Sequence, residues 1–200
     1  MSAQPRRLGL FGGTFDPVHF AHLAIAEWAR VDLRLEQVLF VPNQSPPHKA
    51  EVLVTSAQHR LAMLQLAIAD NPHFSVCTVE LEREGASYTV DTLRWLRQTP
   101  DFADATLFWI LGTDSLEEFD QWHQPEAIQG LCVLAAYPRL GARPERGRRD
   151  LVERAILLKA PLIELASSDI RRRFGAGHSI RYLVPDAVRD YIERSGLYRR

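Results

Sequence analysis

Cysteine is nearly absent from the chain: only Cys77 and Cys132 occur in 200 residues. Both fall in apolar, strand-like stretches (74–81 and 131–136), so no disulfide framework is indicated and buried reduced thiols are expected. No segment approaches the length of a membrane span, and residues 1–7 carry no apolar signal-peptide core. An excess of either charge is absent too. A net charge of −1 gives no electrostatic reason to expect a nucleic acid or a membrane as partner. No repeat and no linker divides the sequence, and 200 residues suffice for one domain with a substantial core. A soluble cytoplasmic protein is the expectation; no oligomeric state is legible.

What is present begins at Gly12-Gly13-Thr14-Phe15-Asp16-Pro17-Val18-His19-Phe20-Ala21-His22, directly after the apolar run Leu8-Gly9-Leu10-Phe11. The pattern reads as a strand, a glycine turn and the opening of a helix. Without Cβ atoms at Gly12 and Gly13, backbone N–H groups can approach a phosphate closely. His19 and His22 are three residues apart and share one helix face, so both imidazoles can address one anion. Two other phosphate-binding patterns do not fit. The dinucleotide fingerprint requires a third glycine after Gly13, and the P-loop requires a lysine that is not there. The segment 13–22 instead resembles the nucleotidyltransferase superfamily signature G-[TS]-F-D-P-x-H-x-[GA]-H throughout its length.

Strand-like and helix-like stretches alternate along the chain. Strands are expected at 8–11, 38–41, 74–81, 107–111, 131–136 and 162–165. Helices are expected at 19–33, 56–70 (Thr55 and Gln58 in capping-box spacing), 90–98 and 185–195. The unbroken apolar run at 107–111 suits a central strand covered on both faces. Such alternation implies an α/β fold: a Rossmann-like, mostly parallel sheet with helices on both faces. Ligands in these sheets sit at the carboxyl ends of the strands, which nominates 12–22, 42–49, 112–114 and 137–139. The proline-rich stretch 42–55 is long for a βα connection, either a mobile lid or surface. The arginine-rich stretch 139–150 is either a solvated loop or a basic patch.

Taken in order, further segments resemble bacterial nicotinate mononucleotide adenylyltransferases nearly end to end. They are Pro46-Pro47-His48-Lys49, His59-Arg60 with Met63, Ser87-Tyr88-Thr89-Val90-Asp91-Thr92, Gly112-Thr113-Asp114, Trp122-His123, Ala166-Ser167-Ser168-Asp169-Ile170-Arg171 and Tyr182-Leu183-Val184-Pro185. The resemblance implies one nucleotidyltransferase domain over 1–200, with ATP and nicotinate mononucleotide as substrates. It also implies Mg²⁺ bound with ATP; no carboxylate cage in the sequence demands a protein-held metal. His19, His22, Lys49 and Arg171 would carry catalysis. ATP would be bound by Gly12, Gly13, Thr14, Phe15, His19, His22, Gly112, Asp114, Ser167, Ser168 and Arg171. Nicotinate mononucleotide would meet Asn43, Lys49, Tyr88, Thr89, Trp122 and His123. Each role has an ordinary rival: Arg171 in an exposed basic run, Ser167 and Ser168 as helix caps, Asp114 as a cap, Trp122 as core. His59, His73 and His178 match no role. Two departures stand out. Ala166 and Ser168 replace Ser and Thr of the family's S-S-T-x-I-R, and Tyr137-Pro138-Arg139 stands where the family shows Arg followed by Pro-Gly. Arg139 could replace that arginine only in a rearranged loop.

Overall fold

The computed structural model describes residues 5–44, 55–83 and 85–199. In chain order the elements are β1 (Arg7–Gly13), α1 (Phe20–Asp32), β2 (Gln37–Pro42), α2 (Ala57–Ile68), β3 (Phe74–Val76), α3 (Thr89–Gln98), β4 (Thr106–Gly112), α4 (Thr113–Glu117), α5 (Pro125–Leu131), β5 (Val133–Tyr137), α6 (Arg149–Val152), β6 (Ile156–Leu157), α7 (Ser167–Gly175) and α8 (Asp186–Arg194). All strand pairs are parallel, in the order β3-β2-β1-β4-β5-β6. Among the described residues no helix is long and apolar enough to cross a membrane.

The side-chain period of two divides each central strand between two buried layers. Phe11, Phe108 and Ile110 face one layer, filled by Ile25 and Ala29 of α1, Met63 and Leu64 of α2, Ile170 of α7 and Val188 of α8. Leu8, Leu10, Leu107, Trp109 and Leu111 face the other, filled by Val90, Leu93 and Leu96 of α3 and Ile128 of α5. This is the α/β sheet expected from the alternation. Gly12 is required by its neighbour, because a Cβ there would lie 2.7 Å from the Trp109 ring.

Three elements differ from the sequence expectation. Of 74–81 only Phe74–Val76 is strand. Cys77 N–H still donates to Phe40 O (2.9 Å), but Leu81 N–H then turns back to Thr78 O (2.8 Å). The alternating Cys77 and Val79 are buried in a turn that also draws in Glu80. No strand forms at 162–165. The sixth strand is Ile156–Leu157, paired with Ala135 and Ala136, and Pro161, which has no N–H, stands before the expected segment. At 131–136, Leu131 ends α5 and Cys132 caps it through a bond to Ile128 O (3.0 Å) before β5 begins. The cap of α2 is Ser56 rather than Thr55, because Thr55 donates its N–H to Asp16 Oδ2 (3.1 Å) and its carbonyl accepts from Arg60 (3.0 Å). Both cysteines are free and buried, as expected.

Candidate active site

Chain order reverses direction across the sheet between β1 and β4, and there the strand ends leave a crevice. A cleft of about 370 Å³ opens at this point, lined by Thr14, Asp16, His19, His22, Asp114, the 137–139 segment, Ser167, Ser168 and Arg171. Three of the four nominated strand ends meet in it. The 137–139 segment is held over the cleft because Arg139 N–H donates to Thr113 Oγ1 (2.9 Å).

Phe15 follows the glycines with φ +50°. Its ring is buried against Phe11, Phe40 and His22, with centroids 5.9, 5.6 and 5.0 Å away. This apolar floor sets the direction of α1. His19 is the residue that caps α1, in extended backbone, so the helix proper starts one residue later than the expected 19–33. Its N–H donates to His22 Nδ1 (3.2 Å), and the two rings stack with centroids 3.6 Å apart. That bond leaves the proton of neutral His22 on Nε2. His19 is only 3% exposed, and among the described residues its Nδ1 has no partner.

Burial, and secondarily the Arg139 guanidinium, pushes His19 down to about 4. Burial first, then His19 and Arg139, holds His22 well below its usual range. Both imidazoles are therefore neutral at pH 7, and this has a measurable consequence. Between pH 6.5 and 4 the unfolded chain protonates His19 while the folded chain does not, so stability falls as pH falls through that window. For His19 the loss is about 2–3 kcal/mol between pH 7 and 4.5. Urea unfolding of the wild type and His19→Asn at the two pH values should show a shallower loss in the variant; equal losses would contradict the burial account.

Arg171 differs from its neighbours. Arg172 reaches outward to Asp169 (2.7 Å) and Arg173 bonds Ser179 O (2.7 Å), whereas Arg171 Nη1 donates to Asp16 O (2.6 Å) at the cleft wall. Ser167 Oγ donates to Pro17 O (2.9 Å), tying the start of α7 to the glycine-turn segment, and Ser168 is exposed at the cleft. Gly112 ends β4, where a Cβ would collide with the Asp114 carboxylate. Asp114 Oδ1 accepts Ser115 N–H (2.9 Å), as a cap would, while Oδ2 lies 3.4 Å from Arg139 Nε.

Of the residues expected at the mononucleotide, Asn43, Tyr88, Thr89, Trp122 and His123 do not line this cleft. Asn43 N–H donates to Gly13 O (3.1 Å) and its amide to Thr14 Oγ1 (3.4 Å). Asn43 Oδ1 is buried and, among the described residues, unpartnered. The next residue, Gln44, donates its N–H to Ser87 Oγ (3.2 Å). From there Tyr88 stacks obliquely on exposed His123, centroids 4.5 Å apart, and Thr89 opens α3. Trp122 is half-buried on Phe119, centroids 5.3 Å apart. Beneath them Thr92 Oγ1 donates to buried Glu80 (2.7 Å), and Arg83 bonds Thr92 Oγ1 (3.3 Å) and Asp91 O (3.0 Å), so the 87–92 element rests on a polar network. Lys49 and most of the 42–55 stretch lie outside the described residues.

In the arginine-rich stretch, Arg148 pairs with Glu126 and Asp150 and Arg149 with Glu153. For Arg148 and Arg149 that pairing is the solvated-loop arrangement, whereas Arg139, in the same stretch, lines the cleft. Among the unassigned histidines, His59 Nδ1 lies 2.9 Å from Tyr191 Oη, and His73 Nδ1 lies 3.2 Å from Glu36 O. Arg139, nominated with its strand end, does line the cleft, held there by the tertiary bond from its N–H to Thr113. Sequence reasoning gave no role to Asp16, Arg60 or Tyr198, and for Tyr198 no local signal existed.

Known proteins bear on this geometry. A cytidylyltransferase-like family model matches residues 10–173. A protein of Thermomicrobium roseum described as a probable nicotinate-nucleotide adenylyltransferase is 46% identical over 202 residues, covering 96% of this chain and 92% of its own. The chain belongs to that family. A Salinibacter ruber member with the same description is 45% identical over 192 residues, covering 96% of this chain and 97% of its own. The fold is shared more widely. The Plasmodium falciparum nicotinic acid mononucleotide adenylyltransferase complexed with NaAD superposes with a TM-score of 0.75 at 18% identity, covering 96% of this chain and 97% of that one. The family's Rossmann-like sheet is thus the one built here from six parallel strands.

Proposed function

We propose that this chain is a cytoplasmic enzyme that transfers the adenylyl group of ATP to nicotinate mononucleotide, giving deamido-NAD and pyrophosphate. The observation that carries the proposal is the stacked pair His19–His22 facing Arg171 across one cleft, in a chain whose relatives bear that name over nearly their whole length. The mononucleotide phosphate attacks the α-phosphorus in line, and pyrophosphate leaves with the proton inventory unchanged at the sugar hydroxyls. Little covalent work falls to the protein, so positioning and charge stabilisation set the rate.

The glycine turn at Gly12 and Gly13 and the residues Thr14 and Phe15 shape the phosphate-facing end of α1. His22, with its proton on Nε2, and His19 meet triphosphate oxygens where charge accumulates. Arg171 forks onto the β- and γ-phosphates, and at the start of α7 Ser168 adds N–H and hydroxyl donors while Ser167, its hydroxyl held by Pro17 O, adds its N–H. Lys49 brings a further point charge. Gly112 admits the adenosine ribose, which Asp114 holds. On the other side, Tyr88 and Thr89 at the N-terminus of α3 receive the nicotinate carboxylate. Trp122 stacks on the pyridine ring, with Asn43 and His123 beside the mononucleotide.

Among the described residues no group of three His, Cys, Asp or Glu side chains could hold a metal ion. At the cleft Asp114 offers an exposed carboxylate, whereas the Asp16 carboxylate is already taken by Tyr198, Thr55 and Arg171. Such a donor set fits Mg²⁺ arriving on the triphosphate rather than held by protein carboxylates, Asp114 being engaged by Ser115 N–H and Arg139 and left to the ribose. Bound there, the ion would neutralise phosphate charge while keeping most of its waters. The proposal is tested by incubation with ATP and nicotinate mononucleotide. A dinucleotide formed one for one with pyrophosphate supports it, and ATP breakdown without dinucleotide contradicts it.

A further inference from the structure

Beneath the cleft, segments far apart in sequence converge on one buried carboxylate. Asp16 is 2% exposed. Its Oδ1 accepts the hydroxyl of Tyr198, 182 residues away, at 2.5 Å. Its Oδ2 accepts Thr55 N–H at 3.1 Å and lies 3.8 Å from Arg171 Nη1, which also donates to the Asp16 carbonyl at 2.6 Å. One guanidinium nitrogen of Arg171 is thus fixed by Asp16, and among the described residues the remainder of the fork has no other hydrogen bond where Arg171 lines the cleft.

Tyr198 reaches this point by a route the fold maintains deliberately. The chain leaves α8 through Gly196 (φ +63°) and places Tyr198 itself at φ +62°, a backbone region unfavourable for a bulky residue. Its carbonyl packs on α7 at Gly175, where a Cβ would come within 2.9 Å. Gly175 lies one turn beyond Arg171 on the same helix. The tail is therefore docked on the element that carries Arg171, and its hydroxyl is bonded to Asp16, whose carbonyl accepts from Arg171 Nη1 and whose carboxylate pairs with it at 3.8 Å. A buried Tyr hydroxyl needs a partner, yet nothing in burial alone requires that partner to be the arginine's own anchor.

We infer that Tyr198, acting through Asp16, is a positioning residue for Arg171, so that the C-terminal tail belongs to the triphosphate site without touching substrate. The inference rests on the proposed role of Arg171 at the phosphates. Tyr198→Phe keeps the ring and removes the hydroxyl. It should lower kcat/KM for ATP about tenfold, the scale of a lost hydrogen bond to a charged group. The same substitution made in Arg171→Ala should change kcat/KM less than twofold, measured as dinucleotide accumulated over time. Coupling of this kind separates positioning from general support of the fold, which would cost activity in either background. An equal fold-loss in the two backgrounds, at any melting temperature, overturns the inference, as does full activity in Tyr198→Phe. The role of Arg171 is read separately: it fails if Arg171→Ala alone leaves kcat and KM for ATP unchanged.

Discussion

Replacing His22 by asparagine is expected to lower kcat by about 10²–10³-fold, the usual effect of losing one donor to developing transition-state charge. The same loss is expected of His22→Ala, but the two variants should differ in stability. The structure gives His22 two tasks at opposite edges of its ring. Nδ1 accepts the N–H of His19 at the head of α1 (3.2 Å), and Nε2 is left to donate. Asparagine can place its carbonyl oxygen near the position of Nδ1 and has nothing to place at Nε2. Alanine fills neither position and leaves space beside Phe15, whose ring centroid is 5.0 Å from that of His22. His22→Asn should therefore unfold within about 1 kcal/mol of wild type, and His22→Ala should lose about 1–2 kcal/mol. Steady-state kinetics with urea unfolding checks both. Near-normal turnover in either variant would remove His22 from the chemistry.

The second large effect is expected at Arg60, in stability. Its side chain is 1% exposed, and among the described residues no carboxylate bonds it directly. Instead its nitrogens donate to three backbone carbonyls, of Thr55 (3.0 Å), Thr14 (2.9 Å) and Gln44 (3.3 Å). One guanidinium thus joins the glycine turn to the residues on either side of 45–54. Burial pushes it down from its ordinary range, opposed by the nearby Asp16 charge. Arg60→Met conserves much of the apolar stem but strands the three carbonyls and removes one of the cations near buried Asp16. We expect a loss of about 3–5 kcal/mol. Arg60→Lys, with one point donor for three acceptors, should recover less than half of it. A urea midpoint within about 1 kcal/mol of wild type for Arg60→Met would show that these carbonyls find water instead.

Much of this was legible in the sequence because it is local. The glycine turn, the histidine pair, the apolar run of β4 and the last helix are set by neighbours within a few positions. Errors arose where a local pattern was overruled from a distance. Thr55 has capping-box spacing, but Asp16 and Arg60 engage its backbone. Residues 77–79 alternate like a strand, but the chain turns there to bury Glu80 against Thr92. The 162–165 run is apolar enough for a strand, yet the sheet closes earlier, on Ile156–Leu157. The site divides in the same way. His19, His22, Ser168 and Arg171 could be nominated from motifs and Arg139 from its strand end, whereas Tyr198 joins the site through Asp16, a contact spanning 182 residues.

The measurement that bears most directly on the central claim is pyrophosphate release from ATP and Mg²⁺ with nicotinate mononucleotide, run beside nicotinamide mononucleotide. Rapid turnover with the acid and slow turnover with the amide is the result expected if Tyr88 and Thr89 at the head of α3 receive the carboxylate. Equal rates would preserve adenylyl transfer and contradict the roles given to Tyr88, Thr89 and Trp122. No release with either mononucleotide would contradict the proposed activity itself.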